Sequence, residues 1–233
     1  MLWEITSHLG WIDPRLLPPI EAVVHTAVGQ ASSGHLGADL AASLLRDLTG
    51  FGIGGAAGLA FGTLLGLSGL ARGLIGPSFD AGKQIALFAW IPLISIWFGI
   101  GETAKIVFVA LAAFTPVALN TFEGVRSASV KLIEIGTVLT FSRRQFVTRI
   151  FLPSALPSIL VGLQLALINC WLATIATEYF MTVGPGIGGL IIEGRERFQM
   201  DLVVLGILVL GLVGFLLNRG GVAIEARLLR WQA

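Results

Sequence analysis

The sequence predicts an all-α fold, a polytopic bundle of transmembrane helices, from its composition, the length of its uncharged runs and its lack of strand periodicity. Hydrophobic residues make up 55% of the 233 and charged residues only 12%, whereas a soluble domain carries roughly 25% charge. Mean hydropathy is strongly positive. Charges bracket five uncharged runs: Leu48 to Ala71, Gln84 to Gly101, Ile106 to Phe122, Ile150 to Thr177 and Leu202 to Asn218. Each is near or above the roughly 17 to 25 residues that a helix needs to cross ~30 Å of hydrocarbon. Lipid leaves free backbone groups unsatisfied, so a spanning segment is a helix or part of a closed barrel. The period-2 alternation of barrel strands is missing. Five spans are therefore visible.

Basic residues orient the bundle. Arg126, Lys131, Arg143, Arg144 and Arg149 fall on one side with Arg72, Lys83, Arg219, Arg227 and Arg230, against Arg15, Arg195 and Arg197 on the other; Arg46 and Lys105 lie near span ends. That excess marks the cytoplasmic side. The 123–157 loop and the C-terminus are expected there.

Other classes find little support. Cys170 is the single cysteine and lies within a span, so no intrachain disulfide forms. His8, His25 and His35 lack paired metal spacing, and no metal site is expected. Met1-Leu2-Trp3-Glu4 has neither the basic start nor the apolar core of a signal peptide. "GPGIGG", Gly184 to Gly189, matches a dinucleotide pattern but follows a span and has no βαβ context. "GPSFDAGKQ" departs from a phosphate loop at Pro77 and Gln84. No nucleophile with its base sits at membrane depth, so an intramembrane enzyme is not indicated. A channel or secondary transporter is the alternative, but it calls for several intramembrane charges or inverted repeats.

Two features concern packing and depth. In "GFGIGGAAGLAFGTLLG", Gly50, Gly54, Gly58, Gly62 and Gly66 recur every fourth residue, which lines them along one helix face and permits a close helix crossing. The spacing does not name the partner helix. Glu178 ends the fourth uncharged run, where an acid is costly unless it faces water or a partner. Either Glu178 joins Asn169 and Trp171 along a translocation pathway, with gating or pairing as its use, or it is solvated at the outer interface.

"KLIEIGTVLTFSRRQFVTRIFLPSALP", residues 131–157, interrupts two apolar runs with basic residues. Ser127 or Ser129 can cap a helix through Lys131 to Leu139. Ser142 and Gln145 form the pattern S-x-x-Q for a second short helix, and Leu152-Pro153 should interrupt it where the next span begins. The first helix is apolar nearly all round, so it is expected to meet its own spans on one face and a soluble partner on the other. The bland alternative is a helix lying among lipid headgroups.

The same segment resembles the cytoplasmic signature of permease subunits in binding-protein-dependent ABC importers: E-A-A, three residues, G, nine residues, I-x-L-P. Glu134 matches the acid, Ile150, Leu152 and Pro153 match the end, and Thr140 stands at the glycine position. Ile91-Pro92-Leu93, Trp97 to Glu102, Lys105-Ile106, "NTFEGVRS" from Asn120, "GIGGLI" from Gly186 and Asp201-Leu202-Val203 resemble the branch carrying sulfonates, taurine, nitrate and bicarbonate. Gly10-Trp11, Leu17-Pro18 and Gly50 to Gly55 bring it nearest to aliphatic sulfonate permeases. The resemblance covers residues 9–231.

The resemblance implies a type I ABC importer permease, not itself an enzyme, in the bacterial inner membrane. Its implied partners are a second permease subunit, here expected to be identical, two cytoplasmic ABC ATPases that bind the ATP and magnesium, and an external solute-binding protein. No cofactor is implied in this chain. ATP binding would close the ATPases and turn the pathway outward. Lys131, Glu134, Ile135, Leu139, Phe141, Ser142, Arg143 and Arg144 would contact the ATPase, with Gly136 and Thr140 shaping the turn. Ile135-Gly136 replaces a small Ala-Ala pair, and if the family turn uses a positive φ at the glycine position a β-branched Thr140 resists it, so either the turn geometry or the fit to the ATPase is expected to differ. Such permeases carry a span before Gly10-Trp11, so residues 1–43 are expected to be a truncated first span with an external segment, and 44–231 the permease domain.

Overall fold

In the computed structural model, which describes residues 16–181 and 183–229, every regular element is helical. In chain order these are α1 (Ile20–Ser32), α2 (His35–Leu67), α3 (Gly69–Gly82), a 3₁₀ turn (Leu87–Trp90), α4 (Ile91–Phe98), α5 (Glu102–Arg126) and α6 (Val130–Val138). There follow α7 (Arg143–Phe146), a π-helical turn (Val147–Phe151), α8 (Leu152–Phe180), α9 (Ile187–Glu196) and α10 (Met200–Leu228). Four are long and apolar enough to span a bilayer: α2, α5, the continuous run Arg143–Phe180, and α10. The run from Gln84 to Gly101 is not a straight span. Instead α3 and the segment Leu87–Phe98 form a pair bent by 97°.

Packing shows why that bent pair still crosses. Gly50 lies against Val109 and Gly66 against Val125, so α2 and α5 run parallel. Two parallel neighbours must be joined by a segment that returns along the bundle, and α3 with α4 makes that return. Gly124 meets Ser158 while Cys170 reaches the Val109 carbonyl, so α8 is antiparallel to α5. Gln164 bonds Asn218 and Trp171 donates to the Leu210 carbonyl, so α10 is antiparallel to α8. The described residues thus cross five times, the second time as a broken helix. The C-terminal end of α10 lies at the same end as α6, called here the loop end.

Apolar side chains gain little by leaving lipid for one another, so close contact has to hold this bundle. The glycine stripe supplies it. A Cβ at Gly54 or Gly62 would collide with the carbonyl oxygens of Ala110 and Ala118, and one at Gly58 would lie 2.8 Å from that of Phe114. The five glycines therefore seat α2 directly on α5. Ala104, Ala112, Ala113, Ala155 and Ala166 are likewise buried. Phe61, Phe79 and Phe114 form a ring cluster, with centroids 5.2 to 6.1 Å apart, that fastens α3 to α2 and α5.

Several boundaries differ from the sequence reading. α2 begins at His35, so the division at 43/44 falls inside a helix and Asp39, Arg46 and Asp47 are part of it. Arg46 is paired with Glu102 and Glu178, Asp39 accepts from Gly186 N–H and Asp47 from Thr174 Oγ1, partners that an uncharged-run criterion does not register. Leu152-Pro153 does not interrupt the helix either. The π-helical turn before it absorbs the missing proline donor, with Leu152 bonding back to the Val147 carbonyl. The expected truncated first span falls largely on residues 1–15, outside the described residues.

Candidate functional site

At the loop end, α6 and α7 form a helical hairpin whose shape is set by local chemistry. Ser129 stands at the start of α6 without a side-chain cap bond, and Ser127 instead donates to the Gly124 carbonyl at 2.8 Å. Thr140 takes φ 53°, and Phe141 N–H donates to the Gly136 carbonyl at 2.9 Å. This is the six-to-one bond of a Schellman ending. The left-handed turn is thus present with threonine at it, so of the two differences expected from sequence the turn geometry is not altered. Ser142 and Gln145 then close a capping box, with Ser142 N–H donating to Gln145 Oε1 at 2.7 Å. A Cβ at Gly136 would come within 2.8 Å of the Phe146 and Ile150 side chains, so a larger residue there would have to push those two side chains aside.

The hairpin presents an unpaired surface. Lys131, Glu134, Ile135, Leu139, Thr140, Ser142, Arg143 and Arg144 are exposed, Phe141 is half-buried under the Arg149 guanidinium, and Gly136 is buried. Val138 is 82% exposed, Leu139 58% and Ile135 54%. These three share one side of α6 at helical spacing. An apolar knob flanked by Lys131 and Glu134 therefore projects from the end of the bundle, on a hairpin continuous with the spanning α8.

The opposite end holds a cluster that the sequence reading only touched. Arg46 on α2 is buried and forks onto Glu102, Nε to Oε2 at 2.9 Å and Nη2 to Oε1 at 2.6 Å. Its Nη1 pairs with Glu178, and Nη2 also reaches the Pro185 carbonyl at 3.3 Å. Glu178 further accepts from Ser43 Oγ at 2.6 Å and from Gly188 N–H at 2.7 Å. Ser43 accepts from Ile187 N–H at 3.1 Å, and Asp39 from Gly186 N–H at 3.0 Å. Lys105 Nζ donates to the Val183 carbonyl at 2.5 Å and lies 3.7 Å from Glu102. Two cations thus meet two carboxylates, with the N-terminus of α9 directed at Glu178, as a helix dipole favours.

This arrangement explains "GPGIGG". A Cβ on Gly186 or Gly188 would overlap the Glu178 side chain, within 2.5 and 2.6 Å, so the glycines admit a carboxylate rather than a nucleotide. Segment 183–196 is thereby clamped to α2, α5 and α8. Arg46, Ser43, Glu102, Lys105 and Asp39 carry this role; sequence marked Arg46 and Lys105 as lying near span ends but assigned the role to none of them. The available signal was the placement of opposite charges at one end of three spans.

The three pathway candidates do not converge. Glu178 is 2% exposed and fully paired, so it neither lines an open path nor sits solvated at an interface. Trp171 is buried against α10. Asn169 alone is exposed, on a cavity between α3, α5 and α8. Spacings of two and nine residues point Asn169 away from the side of the helix that carries Trp171 and Glu178.

A family model for the binding-protein-dependent transport system inner membrane component matches residues 54–230. The chain belongs to that family. The permease is 35% identical over 231 residues to SsuC of Bacillus subtilis (strain 168), named for aliphatic sulfonates transport, with 99% of this chain and 83% of that protein covered. It is 34% identical over 235 residues to the taurine transport system permease protein TauC of Escherichia coli (strain K12), covering 99% and 85%. The bicarbonate transport system permease protein CmpB of Synechocystis sp. (strain ATCC 27184 / PCC 6803 / Kazusa) is 30% identical over 230 residues, covering 94% and 81%. A chain from the inward-facing MetNI methionine ABC transporter superposes with a TM-score of 0.69 at 18% identity, covering 80% of this permease and 92% of that chain. The protein is therefore a multi-pass membrane permease subunit of an ABC importer, with a fold shared by that solved transporter.

Proposed function

We propose that this permease works as a homodimer in an ATP-driven importer for a small anionic solute of the sulfonate, taurine, nitrate or bicarbonate type. The observation that carries the reading is the projecting knob of Ile135, Val138 and Leu139 on a hairpin rigidly continuous with α8. An apolar surface outside the lipid calls for a protein cover. A cytoplasmic ATPase, holding ATP and magnesium itself, provides the cover, and Lys131, Glu134, Arg143 and Arg144 set its orientation through charge. Movement of the hairpin is transmitted along α8 because the π-helical turn leaves the helix unbroken.

In this arrangement the loop end and the C-terminus face the cytoplasm, as the excess of basic residues there supports. The clamped end, with α1 and α9, faces the external solute-binding protein. The test is ATP-dependent uptake of labelled ethanesulfonate, taurine, nitrate and bicarbonate into proteoliposomes holding the permease, its ATPase and its binding protein. Uptake of at least one, lost without ATP or without binding protein, supports the reading. Uptake of none overturns it.

A further inference from the structure

The chain leaves helical geometry in the short stretch between Gly82 and Leu87, where the α3 pair bends by 97°. The ring of Phe79 contacts that of Phe114, midway along α5, so the break lies deep in the bundle. Irregular backbone at membrane depth persists only where protein buries it or where it lines a water-accessible cavity. Here it lines a cavity of about 580 Å³, completed by α5 and α8.

Five polar side chains border that cavity: Lys83, Gln84, Thr115, Asn120 and Asn169. Such groups at membrane depth are costly and mark solute paths. Asn120 gives one amide hydrogen to the Pro116 carbonyl at 2.9 Å. Among the described residues, the side chains of Gln84, Thr115 and Asn169 have no hydrogen-bond partner. Lys83 is the single charged residue in the lining; its Nζ lies 2.7 Å from Asp80, which is outside the lining and 65% exposed. The cavity therefore offers donors and one cation, and no carboxylate. Phe79, Phe114 and Trp90 supply apolar wall for a short carbon chain.

We propose that this cavity is a binding subsite for the oxyanion headgroup of the transported solute, with Lys83 as its charge partner and Asn169, Asn120, Gln84 and Thr115 as hydrogen-bonding groups. The proposal rests on the importer reading and adds the residues that meet the solute. Lys83 belongs to the pathway, although sequence counting placed it among the cytoplasmic loop charges.

The test uses the complete transporter in proteoliposomes with the four labelled anions, comparing wild type with Lys83→Gln, Lys83→Arg and Asn169→Leu. Uptake of the anion that wild type carries is expected to fall about tenfold or more in Lys83→Gln, the loss of one charge-assisted hydrogen bond. Lys83→Arg, which keeps the charge, retains most of it, and Asn169→Leu falls between them, all with a wild-type complement of ATPase. Uptake in Lys83→Gln and Asn169→Leu within about twofold of wild type overturns the subsite and leaves the importer reading standing. A loss as deep in Lys83→Arg as in Lys83→Gln also overturns it, since charge would not be the requirement. Wild type that imports none of the four overturns both.

Discussion

Arg46 joins three helices through one guanidinium, forking onto Glu102 and pairing with Glu178 while it touches the Pro185 carbonyl. Removing one partner of a buried pair costs more than replacing both, because it strands the other charge. Arg46→Met is accordingly expected to lower stability by about 3 to 5 kcal/mol, read as denaturation in detergent. Adding Glu178→Met should restore part of the loss, a coupling that a double-mutant cycle measures. Thr140 makes the opposite case. It holds φ 53°, which costs a β-branched residue about 1 to 2 kcal/mol. Thr140→Gly should therefore stabilise the hairpin by about 1 kcal/mol, seen as slower proteolysis of the 139–142 segment, and no change there would show that the turn carries no strain.

The helices tell how much was legible in advance. The stripe from Gly50 to Gly66 was readable as a packing face, because a four-residue spacing fixes a helix side whatever the partner. That the partner is α5, in parallel, depends on where α3 and α4 turn, which no local pattern records. Gly54→Leu is expected to destabilise the bundle by about 1 to 3 kcal/mol through overpacking, whereas Gly52→Leu, where nothing lies within 4 Å, should be near neutral. Thermal denaturation of the two variants decides it. The capping box at Ser142 was legible for the same reason as the stripe, since its bonds are local. The bend after Gly82 and the start of α2 at His35 were not. Both hang on tertiary compensation: a cavity that accepts irregular backbone, and the carboxylates of Glu102 on α5 and Glu178 on α8 that let Arg46 enter a spanning helix. Asn169 could be suspected of lining a path from its polarity alone, but Glu178 could not be recognised as a clamp without Arg46 beside it.

Across the whole molecule the two ends differ in kind. At the clamped end Arg46 and Lys105, Glu102 and Glu178, and the backbone donor of Gly188 are matched among α2, α5, α8 and α9. The loop end leaves Ile135, Val138 and Leu139 uncovered. An element that is finished at one end and unfinished at the other suits a lever, since a partner can push on the open end while the closed end keeps the helices together. The cavity bordered by Lys83 and Asn169 lies between them, along the helices that such a push would move.

The central claim is that the open end is where an ATPase binds. Its most direct test is affinity purification of the tagged permease from its native membrane in mild detergent, with mass spectrometry of wild type, Glu134→Arg and Val138→Asp. A Walker-motif ATPase should accompany wild type and be lost, by about tenfold or more, from both variants, as expected for a charge reversal and a buried unpaired acid at an interface core. Recovery of wild type without any such ATPase, or equal recovery of it with both variants, would contradict the assignment of this hairpin as the coupling element.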